Sequence, residues 1–376
     1  MSDDGLPDWR VEKSAITSSN LGHEVIFGGK CSPAYRGKTF SKIYHIKWTA
    51  KSRMGLPFHW GFVKKQIDRI IREVKPDIVH AHNIFSAKMA LELDVPFVYD
   101  DHEYWSKQSL MLNEIIDKLP LRGNSLRSNI YKAPKQISRM LINKNIVRLW
   151  TKWEREVVSA HPTIAVSEQI ANELKVIGGS TKVFVVENFP MAAEVKGFED
   201  PIYHNELSSV YAGVDGNYKG KQVNRDIDGF TDLFANNKIG NLTIIGWEEK
   251  SSSTYVNYAG LLSRQEMFQE MFKHSIGLIP WKKHWSHSFV NPNKAYEYAH
   301  AGLFVMCTSS FKTLTATLGD NCCTFENYDD LLSKLKYFKE NTEELFNKRL
   351  AIFEFAKCNL IWEKHENNII KAYKSS

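Results

Sequence analysis

The chain has 376 residues, too many for one ordinary domain and comfortable for two. With 43% hydrophobic and 24% charged residues it is neither disordered nor collagen-like, and no apolar run reaches the ~18 residues of a membrane-spanning helix. Its formal charge of +6 is concentrated: Trp105–Glu156 holds 11 Lys/Arg against 4 Asp/Glu, so the remainder is close to neutral.

The basic segment, with its interleaved aromatics, reads as a nucleic-acid surface, an anionic-membrane surface or a solvated helix face. Five cysteines (Cys31, Cys307, Cys322, Cys323, Cys358) are odd in number and form no CxxC pair. That argues against a disulfide framework or zinc site and fits a reducing cytosol. Met1–Gly5 has neither the basic start nor the apolar stretch of a signal peptide.

Taken in order, apolar runs alternate with helix-period segments. Asp8–Ser19 reads as a helix, His23–Gly28 and Lys42–Trp48 as strands, and Trp60–Val74 as a helix with Phe62, Ile67, Ile70 and Ile71 at recurring spacing. Strand Asp77–Ala81, helix Phe85–Leu93, strand Pro96–Tyr99, a long helical region to Ala160, strand Thr163–Val166, helix Ser167–Val176 and strand Lys182–Glu187 follow. Phe189–Asn205 has two prolines and no period, and reads as a linker. Alternation restarts with strand Ser208–Ala212, helix Asp226–Phe234, strands Leu242–Ile245 and Tyr255–Ala259, helix Gln265–Phe272 and strand Ile276–Pro280. Helix Pro292–His300, strand Leu303–Cys307, helix Tyr328–Phe338 and a helical tail from Thr342 to Tyr373 complete it. This β-α-β order predicts an α/β fold of two doubly wound Rossmann-like lobes facing a central cleft. The expected domains are 1–188 (acceptor side), a linker at 189–207, 208–341 (donor side) and a tail at 342–376 that crosses back to the first domain.

The segment richest in chemistry is Asn291–Gly302. Asn291 suits an N-cap and Pro292 the first helical position, so free backbone N–H groups would face an anion. Asn293 and Glu297, four apart, share a face, and a carboxylate there could accept hydrogen bonds from a ribose diol. The other reading is an ordinary capped helix with Glu297 in solvent. His80 and His82, two apart on a strand, share a face; His80 reads as a hydrogen-bonded core histidine. No HExxH and no carboxylate cluster suggests a metal.

Asn291–Gly302 resembles the donor-site helix of GT-B glycosyltransferases, particularly retaining family 4, whose members often read PNK-hydrophobic-(F/Y)EY-x-A-x-G. Other pieces fall in that family's order: Asp8–Glu12 then Gly22–Val25, Lys75–Asn83, Tyr99–Glu103, Val166–Glu168, Val186–Asn188, Tyr211–Gly213 and Leu242–Gly246. The resemblance implies that Glu297 binds the donor ribose, with Asn293, Lys294 and Gly213 beside it. It also implies that a basic pair, Arg225 with Lys219 or Lys221, neutralises the departing diphosphate without a metal. His102 is the expected contact to the transferred sugar or the acceptor, with Gly5, Asp8, His82 and Glu103 on the acceptor side.

Three departures stand out. Phe289 occupies the position eight residues before Glu297 where the family's fuller signature has a second glutamate. Trp247-Glu248 follows Gly246 where a glycine-rich turn is usual. Only Met1-Ser2 precede the loop at Asp3–Pro7, so no run is left for the first strand; the native protein is expected to start upstream, the alternative being a diverged lobe whose central slot another segment fills or which keeps a gap.

The implied function is retaining transfer of a sugar from a UDP- or GDP-linked donor to a glycan or lipid-linked acceptor, in cell-surface polysaccharide or glycoconjugate synthesis. No cofactor, metal or nucleic acid is expected. The expected location is cytoplasmic, peripheral on the inner face of the cell membrane through the basic segment 105–156. The alternatives are a nucleotide-sugar epimerase of the same architecture and a non-catalytic nucleotide-binding homologue.

Overall fold

The computed structural model describes residues 1–117, 126–213, 223–247 and 254–376. They form two compact units, Met1–Glu187 together with His365–Ser376, and Asn188–Lys364.

The first unit is a parallel sheet built from β1 (Gly5–Leu6), β2 (Ile26–Cys31), β3 (Lys42–His45), β4 (Val79–His82), β5 (Phe97–Asp101), β6 (Thr163–Ala165) and β7 (Val183–Val185). β1-β2-β3 and β4-β5-β6-β7 are the two hydrogen-bonded sets, and the N-terminal residues bridge them. Ser2 pairs with His82 in parallel. The Ser2 N–H donates to the Gly28 carbonyl at 2.9 Å and the His82 N–H to the Met1 carbonyl at 2.9 Å. The composite order is thus 3-2-1-4-5-6-7, doubly wound. The slot expected to lack its strand is filled by residues 2–6 themselves, a run too short and too polar to stand out by periodicity. Asp8 then starts the Trp9–Asn20 helix by accepting from the Arg10 and Val11 N–H groups.

The long helical region is two helices, Trp105–Asp117 and Leu126–Ala160. In the second, Ile146, Trp150 and Trp153 face inward. Trp153 lies 4.8 Å from the ring of Trp60, and Trp150 lies edge-on to Phe85 at 5.0 Å. The tryptophans are therefore core side chains, and Lys144, Arg148 and Lys152 are the exposed face.

The second unit holds β8 (Ser208–Ala212), β9 (Asn241–Ile245), β10 (Val256–Gly260), β11 (Ile276–Ile279), β12 (Phe304–Thr308) and β13 (Cys322–Phe325). Their order is β10-β9-β8-β11-β12-β13, all parallel, so the order reverses between β8 and β11. β13 and the helix Lys312–Leu318 before it were not read from the sequence, where a Thr-rich run gives no clear period.

The expected linker belongs to this unit. Phe189 is 1% exposed and meets Tyr296 edge-on at 4.6 Å, and Ala192–Val195 is a short helix. The tail divides likewise. Thr342–Asn359 stays in the second unit, where buried Arg349 donates to the Gly302 and Ile202 carbonyls. Only His365–Ser376 joins the first unit, through Asn368 donating to the Val185 carbonyl at 2.8 Å.

Candidate functional site

Two clusters carry the chemistry, one in each unit. In the second unit the cluster lies where the strand order reverses, the place at which open α/β sheets bind ligands. The Asn293–His300 helix is anchored there by Tyr298. Its hydroxyl accepts from the Ala212 N–H at 2.7 Å and donates to the Leu278 carbonyl at 3.3 Å. Gly277 is needed for this fit, because a Cβ there would lie 2.4 Å from the Tyr298 ring. The N-cap is Pro292, not Asn291; the Asn291 Oδ1 instead accepts from the Tyr296 hydroxyl.

Lys294 folds back over two aromatic faces, with Nζ 4.4 Å from the Tyr211 ring centroid and 5.0 Å from that of Trp281. Gly213 makes room for it, since a Cβ there would stand 2.5 Å from Nζ. The Arg225 guanidinium lies 5.0 Å from the same Trp281 ring. Burial first, and then the Arg225 charge, push the Lys294 ammonium down to about 7, against the pull of Glu297. Neither cation has a carboxylate partner within salt-bridge distance among the described residues. An anion placed beside them would favour the charged form of Lys294.

Arg225, expected in the loop just before a helix at Asp226, closes a 3₁₀ turn, Val223–Arg225; the helix itself is Phe230–Asn237. The turn is held by His287, which sequence reasoning missed. Its Nε2–H donates to the Asn224 carbonyl at 2.6 Å and its Nδ1 pairs with the Ser310 hydroxyl at 2.8 Å. The ring stacks on Phe311 at 4.2 Å. Burial pushes its pKa down to about 4, so the neutral tautomer with hydrogen on Nε2 is the one that fits.

Glu297 sits one turn along from Lys294, and its Oε1 accepts from Arg264 Nη1 at 2.7 Å. Arg264 also holds Glu194, at 2.6 Å from Nε. Glu297 is therefore a fixed carboxylate rather than a solvated one. Asn293 is exposed and accepts from the Asn188 amide at 2.9 Å. Lys219 and Lys221 lie outside the described residues. Phe289 ends the 3₁₀ turn Trp285–Phe289 and is half-buried.

Removing Lys294 separates binding from stability. Its proton is held less firmly in the folded chain than at the ordinary lysine value of 10.5. The unfolded chain therefore binds more protons between about 7 and 10.5, and stability rises with pH across that window. Lys294→Met is expected to stabilise the ligand-free protein by ~0.5–2 kcal/mol at neutral pH, to flatten that rise, and to weaken UDP binding. Melting curves at several pH values and UDP titration check it; a lower Tm with unchanged UDP affinity contradicts it.

In the first unit the cluster surrounds Asp100, 1% exposed at the end of β5. Arg10 reaches it from the first helix, with Nη2 at 2.8 Å and Nε at 3.0 and 3.2 Å from its two oxygens. His80 Nε2 lies 3.0 Å away, His82 Nδ1 3.4 Å and His102 Nε2 3.6 Å. His80 and His82 share a face as expected, their rings stacked at 4.4 Å. His80 Nδ1 pairs with the Tyr373 hydroxyl at 2.7 Å, and His82 Nδ1 with His102 Nε2 at 2.9 Å.

Burial alone would raise Asp100, but Arg10 and then His102 hold it well below the carboxylate range. Burial and the neighbouring His80 hold His82 well below the usual imidazole value. For His102 burial works the other way from the Asp100 carboxylate, and Asp100 wins, so its pKa is raised. The cluster thus keeps one imidazole ready to be cationic beside another held neutral.

Asp8 contributes to the field at His102, but its carboxylate is engaged as the helix cap. Gly5 lies in β1 against Lys30. Glu103 is exposed on the following turn and accepts from Gln108 at 2.8 Å. Ligand atoms of His80, His82 and Asp100 lie within 4.8 Å of one another, a spacing a metal ion could use. Both Asp100 oxygens, however, already bind the Arg10 cation, which opposes a second one.

Residues 18–189 match the family model Glycosyltransferase Family 4. Solved structures resemble the chain over nearly its whole length. A glycosyltransferase from Rickettsia africae is 14% identical, with a TM-score of 0.64 and coverage of 99% of this chain and 97% of that one. Sucrose-phosphate synthase from Thermosynechococcus elongatus is 10% identical, with a TM-score of 0.67 and coverage of 97% and 92%. The Anabaena protein HepE in complex with UDP-glucose is 10% identical, with a TM-score of 0.64 and coverage of 100% and 98%. No curated protein matches the sequence.

Proposed function

We propose that this chain, which has the GT-B fold, is a glycosyltransferase that takes a UDP- or GDP-linked sugar and transfers it, with retention of anomeric configuration, to a hydroxyl of a glycan or lipid-linked acceptor. The observation that carries this reading is the pair Arg225 and Lys294, gathered without a counter-anion over Trp281 and Tyr211. As the sugar leaves, negative charge grows on the diphosphate, and two preplaced cations stabilise it without reorganising. The fixed Glu297 carboxylate is assigned to the ribose hydroxyls. His102 is assigned to the transferred sugar or the acceptor. In this reading the cations do the work a divalent ion would otherwise do.

UDP-glucose is the natural first donor to try, since HepE was solved with it. Incubation with a panel of UDP- and GDP-sugars, read by thermal shift and by analysis of products, separates the readings. Slow donor hydrolysis or transfer supports the proposal. Conversion of the sugar supports an epimerase. Binding with no turnover of any donor supports a non-catalytic homologue.

No helix among the described residues is long and apolar enough to cross a membrane. Contact with a lipid-linked acceptor is proposed through the outer face of the Leu126–Ala160 helix. Exposed Lys144, Arg148 and Lys152 adjoin exposed Met140, Leu141 and Ile142 there. Flotation with vesicles is expected to recover the protein with anionic lipid, and less of it as salt rises. Equal recovery with neutral vesicles, or none with either, overturns this part.

A further inference from the structure

Residues 25–67 hold nine Lys/Arg and neither Asp nor Glu, a denser basic run than Trp105–Glu156. Three of the nine find carboxylates from other segments of the first unit: Lys42 on Glu73, Arg53 on Asp3 and Asp4, and Lys64 on Glu92. Exposed Lys47, Lys51 and Lys65 have no carboxylate partner among the described residues, and neither has Arg69 one turn further on.

Apolar side chains stand exposed among these cations. The Pro57–Val74 helix buries Trp60, Val63 and Ile67. Phe58 and Phe62 lie off that stripe, one turn apart, and are 82% and 49% exposed; Leu56, just before the helix, is 41% exposed. Lys65 and Arg69 continue the same outer face at helical spacing. Lys51 lies beside Leu56, whose N–H donates to the Lys51 carbonyl at 3.2 Å. Lys47 lies beside Phe62: its N–H donates to Gln66 Oε1 at 3.2 Å, and Gln66 Nε2 donates to the Phe62 carbonyl at 3.3 Å.

The exposure belongs to a firmly held tip. Behind it the Trp60 ring lies 4.8 Å from that of Trp153, and its Nε1–H donates to Glu92 at 3.0 Å. The Trp150 Nε1–H donates to the Arg53 carbonyl at 2.9 Å. At Gly55, where φ is 69°, a Cβ would lie 2.6 Å from Leu149. The backbone is thus pinned to the Leu126–Ala160 helix with Phe58 and Phe62 turned outward. Apolar groups held in water among uncompensated cations suit a partner that is apolar within and anionic at its surface. A nucleic acid would satisfy the cations, but Leu56 and Pro57 offer a base edge no hydrogen-bonding side chain.

We propose that the start of the Pro57–Val74 helix is a membrane anchor. Leu56, Phe58 and Phe62 enter the interface of an anionic bilayer, while Lys47, Lys51, Lys65 and Arg69 lie against its headgroups. The anchor is carried by a different element from the charged face of the Leu126–Ala160 helix, supplies apolar contact as well as charge, and does not depend on sugar transfer.

The test is flotation of the full chain with phosphatidylglycerol–phosphatidylcholine vesicles and with phosphatidylcholine vesicles. The parent is compared with Phe58→Ser/Phe62→Ser, with Lys51→Gln/Lys65→Gln/Arg69→Gln, and with Lys144→Gln/Arg148→Gln/Lys152→Gln. The parent should float with the anionic vesicles, and the serine variant should partition about tenfold less or weaker still. The first glutamine variant should lose the preference for anionic lipid. Tm and UDP binding should be unchanged in both, because all the substituted side chains are on the surface. A serine variant that floats like the parent overturns the proposal, as does a parent that binds neutral vesicles equally or neither kind. A vesicle-free dimer that the serine variant dissolves, or a single-stranded oligonucleotide that displaces the parent from anionic vesicles, would assign the face to a second copy or to nucleic acid and also overturn it. Loss of flotation only in Lys144→Gln/Arg148→Gln/Lys152→Gln overturns the anchor and leaves the Leu126–Ala160 reading standing; loss only in the other two variants does the reverse.

Discussion

Arg225→Ala is expected to lower kcat of sugar transfer by ~10²–10³-fold, with a much smaller change in donor KM. Arg225 lies on a turn pinned by the buried, neutral His287, so its guanidinium is already placed before the donor binds. Charge on the leaving diphosphate is greatest in the transition state, so the interaction strengthens as the glycosidic bond breaks. Lys294 shares the Trp281 ring with it, and the two should act as a unit. The double variant Arg225→Ala/Lys294→Met should therefore fall short of the product of the single losses. Steady-state kinetics with the best donor checks both points. A loss confined to KM would mean that Arg225 binds ground state and transition state alike.

The second large effect is on stability. Arg10→Met removes the cation from a carboxylate that is 1% exposed and leaves it facing three imidazoles. Breaking a buried pair in this way costs ~3–5 kcal/mol, or roughly 10 °C in Tm for a unit of this size. The pH dependence follows in sign. Asp100 is held well below its ordinary 3.8 in the folded chain. Its contribution is thus fully present above that value and lost as pH falls through the folded pKa. Without Arg10 the folded pKa rises, and acid unfolding should begin at higher pH. A Tm within ~2 °C of the parent protein would show that the histidines alone satisfy Asp100.

Much of this was legible in the chain. The β-α-β alternation gave the doubly wound units because each strand is a short apolar run flanked by turn residues. Ser208–Ala212 was placed to the residue. Gly302 follows the Asn293–His300 helix with φ at 65°, a backbone that favours glycine. What stayed hidden depends on contacts across long separations. Residues 2–6 are polar, and only pairing to Gly28 and His82 makes them a strand. Phe189 looks like linker until Tyr296 covers it. Arg264 opens a helix in an unremarkable sequence, and only the fold brings it to Glu297. His287 carries no motif at all. Lys294 was expected beside the ribose carboxylate, but its place over Tyr211 and Trp281 next to Arg225 comes from contacts that only the fold makes.

The assignment of Glu297 to the donor ribose is the point on which the donor site stands, and calorimetric titration of UDP and GDP into the parent protein and Glu297→Ala tests it most directly. Loss of one charged hydrogen bond to the ribose corresponds to ~1.5–3 kcal/mol, roughly a ten- to hundredfold rise in Kd. The account predicts that rise for whichever nucleotide binds, with inorganic pyrophosphate, which has no ribose, binding the variant as it binds the parent. Unchanged nucleotide affinity in Glu297→Ala would contradict it.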